Sequence, residues 1–169
     1  KLCVHYMGYR PKERVAELPH HVFKYIFHLE SMSKQDDVRE IIRALKQKNI
    51  LPCIALNPET RVSDLGDMFS CFNHFHLLTV HPGKSGQRPI LNVLRKIRII
   101  RKRNPRTVIT IDGGVNVSWA KTISRYPLQA VAVTSAIFGE GDPKENYHAL
   151  LRALNPKTLR KVGRKRSRA

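Results

Sequence analysis

Negative charge is what this sequence has least of: 13 Asp and Glu stand against 31 Lys and Arg, leaving a net charge of +18 over 169 residues. Such a balance favours acidic partners, whether nucleic acid, an anionic membrane or a phosphorylated metabolite. Cysteine is scarce as well. Cys3, Cys53 and Cys71 are odd in number and form no C-x-x-C pair, which argues against a disulfide or zinc framework and predicts buried free thiols. No apolar run approaches the roughly 20 residues that span a bilayer, and the opening Lys1-Leu2-Cys3-Val4-His5 lacks a signal-peptide layout. A soluble, cytoplasmic protein without a membrane partner is expected. Walker and Rossmann fingerprints are missing too, which disfavours a nucleotide ligand.

What is present fits one globular domain, since 169 residues at 41% hydrophobic can bury a single core. The positive charge falls in two places. Residues 155–169 form a basic tail, with seven cations and no acid between Lys157 and Arg168, that is expected to be disordered. Arg95, Lys96, Arg98, Arg101, Lys102 and Arg103 interleave with Leu94, Ile97, Ile99 and Ile100, the pattern of a helix with one solvated face. No aromatics interleave with them for base stacking, so a wet helix face is preferred over a nucleic-acid groove.

Apolar, β-branched runs recur along the chain: Lys1 to Met7, Val22 to Phe27, Leu51 to Leu56, Phe75 to Val80, Thr107 to Asp112 and Ala130 to Phe138. Helical patterns separate them, including 12–18, a stripe of Val38, Ile41, Ile42 and Leu45 with Ser33 or Asp36 as its cap, 89–103, 116–126 and 144–154. Six strands alternating with helices predict a parallel sheet covered by helices, either doubly wound or a barrel. A barrel of this class normally has eight units and about 250 residues. The first run starts with no turn or cap before it, so the sequence is expected to be cut at its beginning.

In such folds the loops at the strands' C-terminal ends build the site. The polar ends here are His28 with Glu30, Asn57, His81-Pro82-Gly83 and Asp112-Gly113-Gly114. Asp112 reads as a general base, a metal ligand, or an Asx turn capping the next helix. His5 reads as a metal ligand or a core histidine. Gly83-Lys84-Ser85-Gly86 and Gly113-Gly114 offer backbone N–H groups to an anion, and Thr134 with Ser135 adds hydroxyls.

Taken together, Val4-His5-Tyr6-Met7, Phe27-His28-Leu29-Glu30, Asn57-Pro58-Glu59-Thr60, Thr79-Val80-His81-Pro82-Gly83-Lys84-Ser85-Gly86-Gln87, Ile111-Asp112-Gly113-Gly114-Val115 and Thr134-Ser135-Ala136-Ile137-Phe138 resemble the ribulose-phosphate 3-epimerase family. The resemblance runs from residue 1 to about 154. It implies a TIM (β/α)8-type barrel, incomplete at its start, in which residues 1–154 supply the third to eighth units. It also implies proton exchange at C3 of a ketopentose phosphate, D-ribulose 5-phosphate to D-xylulose 5-phosphate, assisted by a divalent cation: zinc, iron, manganese or cobalt. By that resemblance Asp112 is both cation ligand and proton-transfer group, and His5 is a cation ligand. Met7 lines the substrate pocket, while Gly83, Lys84, Ser85, Gly86, Gly113, Gly114, Thr134 and Ser135 surround substrate and phosphate.

The departures from the family pattern are specific. Cys3 stands where an Asp is usual, Lys84-Ser85 where the loop carries Phe-Gly, Leu78 where a Met precedes Thr-Val, and Thr134 where a Gly precedes Ser135. The His-x-Asp pair and pocket serine of the family's first two strands have no counterpart. Two further readings follow: an epimerase for another phosphorylated ketose, or a non-catalytic barrel remnant binding RNA or another polyanion through its basic helix and tail. A six-unit barrel exposes sheet edges, so a homo-oligomer, or recruitment of a missing N-terminal segment, is expected.

Overall fold

The computed structural model describes residues 1–32, 35–83 and 86–155. Lys84, Ser85, Ser33 and the basic tail beyond Asn155 lie outside the described residues. Among the described residues six strands form one sheet in sequential order: β1 (Leu2–Tyr6), β2 (Val22–His28), β3 (Leu51–Leu56), β4 (His74–Leu78), β5 (Val108–Asp112) and β6 (Ala130–Ala132). Every neighbouring pair is parallel. Sequential order decides between the two architectures left open by the pattern. A doubly wound sheet reverses direction at a switch point, whereas an unreversed order puts every crossover on one face and curls the sheet into a piece of a barrel. The fold is therefore an incomplete TIM barrel of six strands.

Among the described residues six α-helices accompany the strands: α1 (Pro11–Val15), α2 (Gln35–Gln47), α3 (Leu94–Arg103), α4 (Val117–Ile123), α5 (Ser135–Phe138) and α6 (Pro143–Leu154). Between β3 and β4 the connection is a 3-10 segment, Val62–Cys71, kinked at Gly66. Among the described residues no helix is long and apolar enough to cross a membrane. Of the two expected caps for α2, Asp36 lies inside the helix, and Ser33 lies outside the described residues.

Because strand side chains alternate, each strand supplies two different surfaces. Tyr25, Phe27, Ile54, Leu56, Phe75, Leu77, Ile109 and Ile111 face the helices and form the main core with Ile41, Leu45, Ile97, Ile100 and Ile123. An aromatic spine runs through it, with ring centroids 5.9 Å apart for Phe27 and Phe72 and 5.2 Å for Phe69 and Phe75. The alternate residues Ile26, Cys53, Ala55 and Leu78 form a smaller cluster on the concave side. That inner face carries the polar side chains.

Three expectations change. Ala130 to Phe138 is not one strand: β6 stops at Ala132, and Ile137 and Phe138 donate to the Thr134 carbonyl at 3.0 and 2.9 Å in a helical turn. A short apolar run fits strand and helix alike, and here the chain has already reached the rim of the barrel. Of the thiols, Cys53 is buried, but Cys71 is intermediate and Cys3 exposed, because Cys3 lies on β1 at the sheet's edge. On α3 the basic face is not all solvated. Lys96 is buried and donates to the Asn57 carbonyl, and Arg101 donates to the Pro105 and Pro127 carbonyls and to Gln129 Oε1.

The aromatic spine gives the first expectation for experiment. Phe75→Ala should lower the unfolding free energy by about 3–5 kcal/mol, the usual cost of emptying a buried aromatic site, read as a shift of the urea midpoint.

Candidate active site

The inner face near the C-terminal ends of β1, β2, β4 and β5 gathers three imidazoles and one carboxylate. Strand register places them: Leu78 pairs with Asp112, His76 with Thr110, His5 with Ile26, and His28 with Ala55. His76 Nε2 lies 3.0 Å from Asp112 Oδ2, and His5 Nδ1 lies 3.6 Å from the same oxygen. The rings of His5 and His76 meet edge to face at 4.7 Å, and those of His5 and His28 lie edge to edge and nearly coplanar, with centroids 5.1 Å apart and 9° between planes. His5 Nε2 and His28 Nε2 are 2.9 Å apart. Beyond His28, its Nδ1 is 3.4 Å from Glu30 Oε2. Glu30 in turn accepts from the Asn57 backbone N–H at 2.9 Å and from the Thr60 hydroxyl.

Asp112 is held by its backbone as well. Thr79 N–H and Thr79 Oγ1 donate to the Asp112 carbonyl at 2.8 and 2.9 Å, and Thr79 Oγ1 also reaches the Gly113 carbonyl at 2.6 Å. Gly113 has φ 106°, and a Cβ there would sit 2.4 Å from Val80 Cγ2, so the turn after β5 needs glycine on both counts. The capping role left open for Asp112 belongs to Asn116, whose side chain accepts from Trp119 N–H at 2.8 Å.

Electrostatics follow from this packing. Burial alone would raise the Asp112 carboxyl, but the adjacent His5 and His76 imidazoles outweigh it and hold the group well below the usual carboxylate range. Burial pushes the His76 imidazole down, against the raising effect of Asp112. A neutral His76 donates Nε2–H to Asp112, which leaves its buried Nδ1 without a partner. For Glu30, burial again pulls upward, but His28, Thr60 and the Asn57 N–H together lower it from 4.5 to about 2.

His5, His76 and Asp112 offer two imidazole nitrogens and one carboxylate oxygen, all within 4.8 Å of one another. That donor set suits a borderline divalent cation such as zinc, iron, manganese or cobalt. His76 is the least prepared of the three, since its outer nitrogen meets no acceptor to orient the ring. A cavity of about 360 Å³ opens beside Asp112 and brings Met7, Gly83, Gly86, Gly113, Gly114, Thr134 and Ser135 onto one wall. Lys84 and Ser85 lie outside the described residues. A second hollow of about 220 Å³ adjoins it, sharing Met7 and Pro82 and reaching His28, Glu30 and Asn57.

His76 is the residue that sequence reasoning passed over. Phe75-His76-Leu77-Leu78 reads as a buried apolar run; strand parity was the available signal, since His76 shares its face with Leu78, the partner of Asp112.

Comparison with known proteins gives the chain a family. The family model described as "Ribulose-phosphate 3 epimerase family" matches residues 1–138. A ribulose-phosphate 3-epimerase of Methanocaldococcus jannaschii is 33% identical over 80% of this chain and 60% of its own length. A cytoplasmic isoform from Oryza sativa subsp. japonica is 29% identical over 77% of this chain and 58% of its own. Among solved structures, a 3-hexulose-6-phosphate synthase superposes with a TM-score of 0.53 at 13% identity, covering 78% of this chain and 61% of the other, which supports the barrel fold alone. The chain belongs to the ribulose-phosphate 3-epimerase family. It spans 58–60% of the length of the two relatives just named.

Glu30 yields a pH expectation. Its native value is depressed, so the unfolded chain binds the proton first; the stability it contributes is complete above about 4.5 and is lost as pH falls toward 2. Glu30→Gln should be less stable than wild type at pH 7, and the difference should shrink across that window when urea midpoints are compared at each pH.

Proposed function

We propose that the chain performs ribulose-phosphate 3-epimerase chemistry on D-ribulose 5-phosphate, with proton exchange at C3 outrunning inversion to D-xylulose 5-phosphate. The observation that carries this reading is the convergence of Asp112, flanked by His5 and His76, on the wall of a cavity lined by glycine turns and Ser135. A divalent cation held by His5, His76 and Asp112 would stabilise the enediolate oxygens. Asp112 takes the C3 proton and returns it from the same side. A carboxylate pulled so far down is a weak base, so it acts on a carbon acid already polarised by its bound state. Met7 covers the sugar, and the phosphate sits against Gly83, Gly86, Gly113, Gly114 and Ser135, with Thr134 at its edge; Lys84 and Ser85 belong to the same loop by sequence.

Inversion needs a second acid on the opposite face of the carbon. Among the described residues Glu30 is the nearest in role, but its oxygens are engaged by Asn57, Thr60 and His28, which leaves it a structural carboxylate. The barrel piece is read as residues 1–154 with 155–169 as an appendage, in a cytosolic setting like that of the rice isoform. The polyanion reading draws no support from α3, where Lys96 is buried and Arg101 is held by backbone carbonyls.

The test is isotope exchange. With ribulose 5-phosphate in D2O and added manganese or cobalt, deuterium should enter C3 of recovered ribulose 5-phosphate faster than xylulose 5-phosphate forms. Asp112→Asn should lower exchange by about 10²–10⁴-fold. Equal exchange in the two proteins would remove Asp112 from this role.

A further inference from the structure

The geometry points to His28 and Glu30 as a positioning pair for His5: together they fix the His5 ring in the tautomer that carries its proton on Nε2 and turns a bare Nδ1 toward Asp112. The inference rests on the reading of His5 as a cation ligand, and it concerns two residues which that reading leaves without a role.

Two imidazole nitrogens 2.9 Å apart must be one N–H and one lone pair. Which is which is decided at the far end of the chain of contacts. Glu30 Oε1 already accepts from the Asn57 N–H and the Thr60 hydroxyl, so the group behaves as an acceptor carboxylate. Its other oxygen, 3.4 Å from His28 Nδ1, is the nearer of the two carboxylate contacts at the ends of the ring pair and favours a proton on that nitrogen. A neutral His28 with Nδ1–H has a bare Nε2, so His5 Nε2 must be the donor between the rings. His5 Nδ1 is left bare, 3.6 Å from Asp112 Oδ2. Two acceptors facing each other repel unless a cation lies between them, and 3.6 Å is too long for a hydrogen bond.

His28 itself is fixed. It is 5% exposed, its ring lies nearly coplanar with that of His5, and its carbonyl accepts from Ser31 Oγ at 2.7 Å. Ligating histidines commonly give their outer N–H to a carboxylate. In this chain a second imidazole is interposed, so a carboxylate rooted on the rim of β2 reaches a nitrogen on β1.

Long-range ¹H–¹⁵N correlation on the metal-free, histidine-labelled full chain at pH 8 tests this directly, because it distinguishes protonated from bare ring nitrogens. The expected result is a protonated Nε2 and a bare Nδ1 on His5. The reverse, protonated Nδ1 on His5, overturns the inference, and the wild-type spectrum decides this without any variant. His28→Leu should convert His5 to a mixture of tautomers, and His28→Gln, whose amide oxygen can accept from Nε2–H, should restore the single form. Cobalt titration by calorimetry supplies the second readout: His28→Leu should weaken binding about 10–100-fold, with His28→Gln closer to wild type. Unchanged cobalt affinity in His28→Leu overturns the positioning role. A wild-type chain that shows the expected tautomer but binds no cobalt refutes the cation reading of His5 and upholds the relay, so the two failures are told apart.

Discussion

Everything at the inner face depends on the register between β4 and β5. Because side chains alternate, a slip of one residue would turn Asp112 outward into the apolar layer under the helices and bring Ile111 inward. A carboxylate placed there would meet Leu77, Ile109 and Ile97 instead of imidazoles, a burial with no compensating partner. The pairing of Leu78 with Asp112 is accordingly secured by more than the strand ladder. Thr79 adds an N–H and a hydroxyl to the same pair of carbonyls, and Gly113 packs against Val80 with no room for a methyl group. The aromatic spine fixes the opposite side of the same strands, so neither face can shift alone.

The sheet itself was legible because parallel strands buried on one side and curled on the other read as short β-branched runs with polar ends. Their sequential order was not, since local pattern says nothing about which strands become neighbours. Asp112 and the glycine turns were legible from position, since each sits at a strand end and strand ends converge; Met7 came only with the family resemblance. His76 was not, because one histidine inside Phe75-His76-Leu77-Leu78 carries no outward sign of the carboxylate it will meet from a strand 36 residues away. Lys96 escaped for a related reason. Its place among Arg95 and Arg98 marks it as solvated, and what buries it is a carbonyl presented by the loop after β3.

The overall charge of +18 gains a different meaning from these contacts. On α3 several cations act as ties within the fold: Arg101 bridges three segments, Arg103 lies 4.0 Å over the Phe69 ring, and Lys96 reaches inward. Arg side chains used this way contribute packing and directed hydrogen bonds as much as field. A count of basic residues therefore overstates the surface that a polyanion would meet on this helix.

Lys96 and Asn57 carry the last consequence. Lys96 donates to the Asn57 carbonyl, the Asn57 N–H donates to Glu30, and Glu30 faces His28. The outer helix and the innermost ring of side chains are thus joined by one uninterrupted line of donors and acceptors. Asn57 takes part through its backbone N–H and carbonyl alone, so the side chains on which the line depends are those of His28, Glu30 and Lys96. A helix cation that touches no part of the candidate site is thereby tied to the side chain that faces His28.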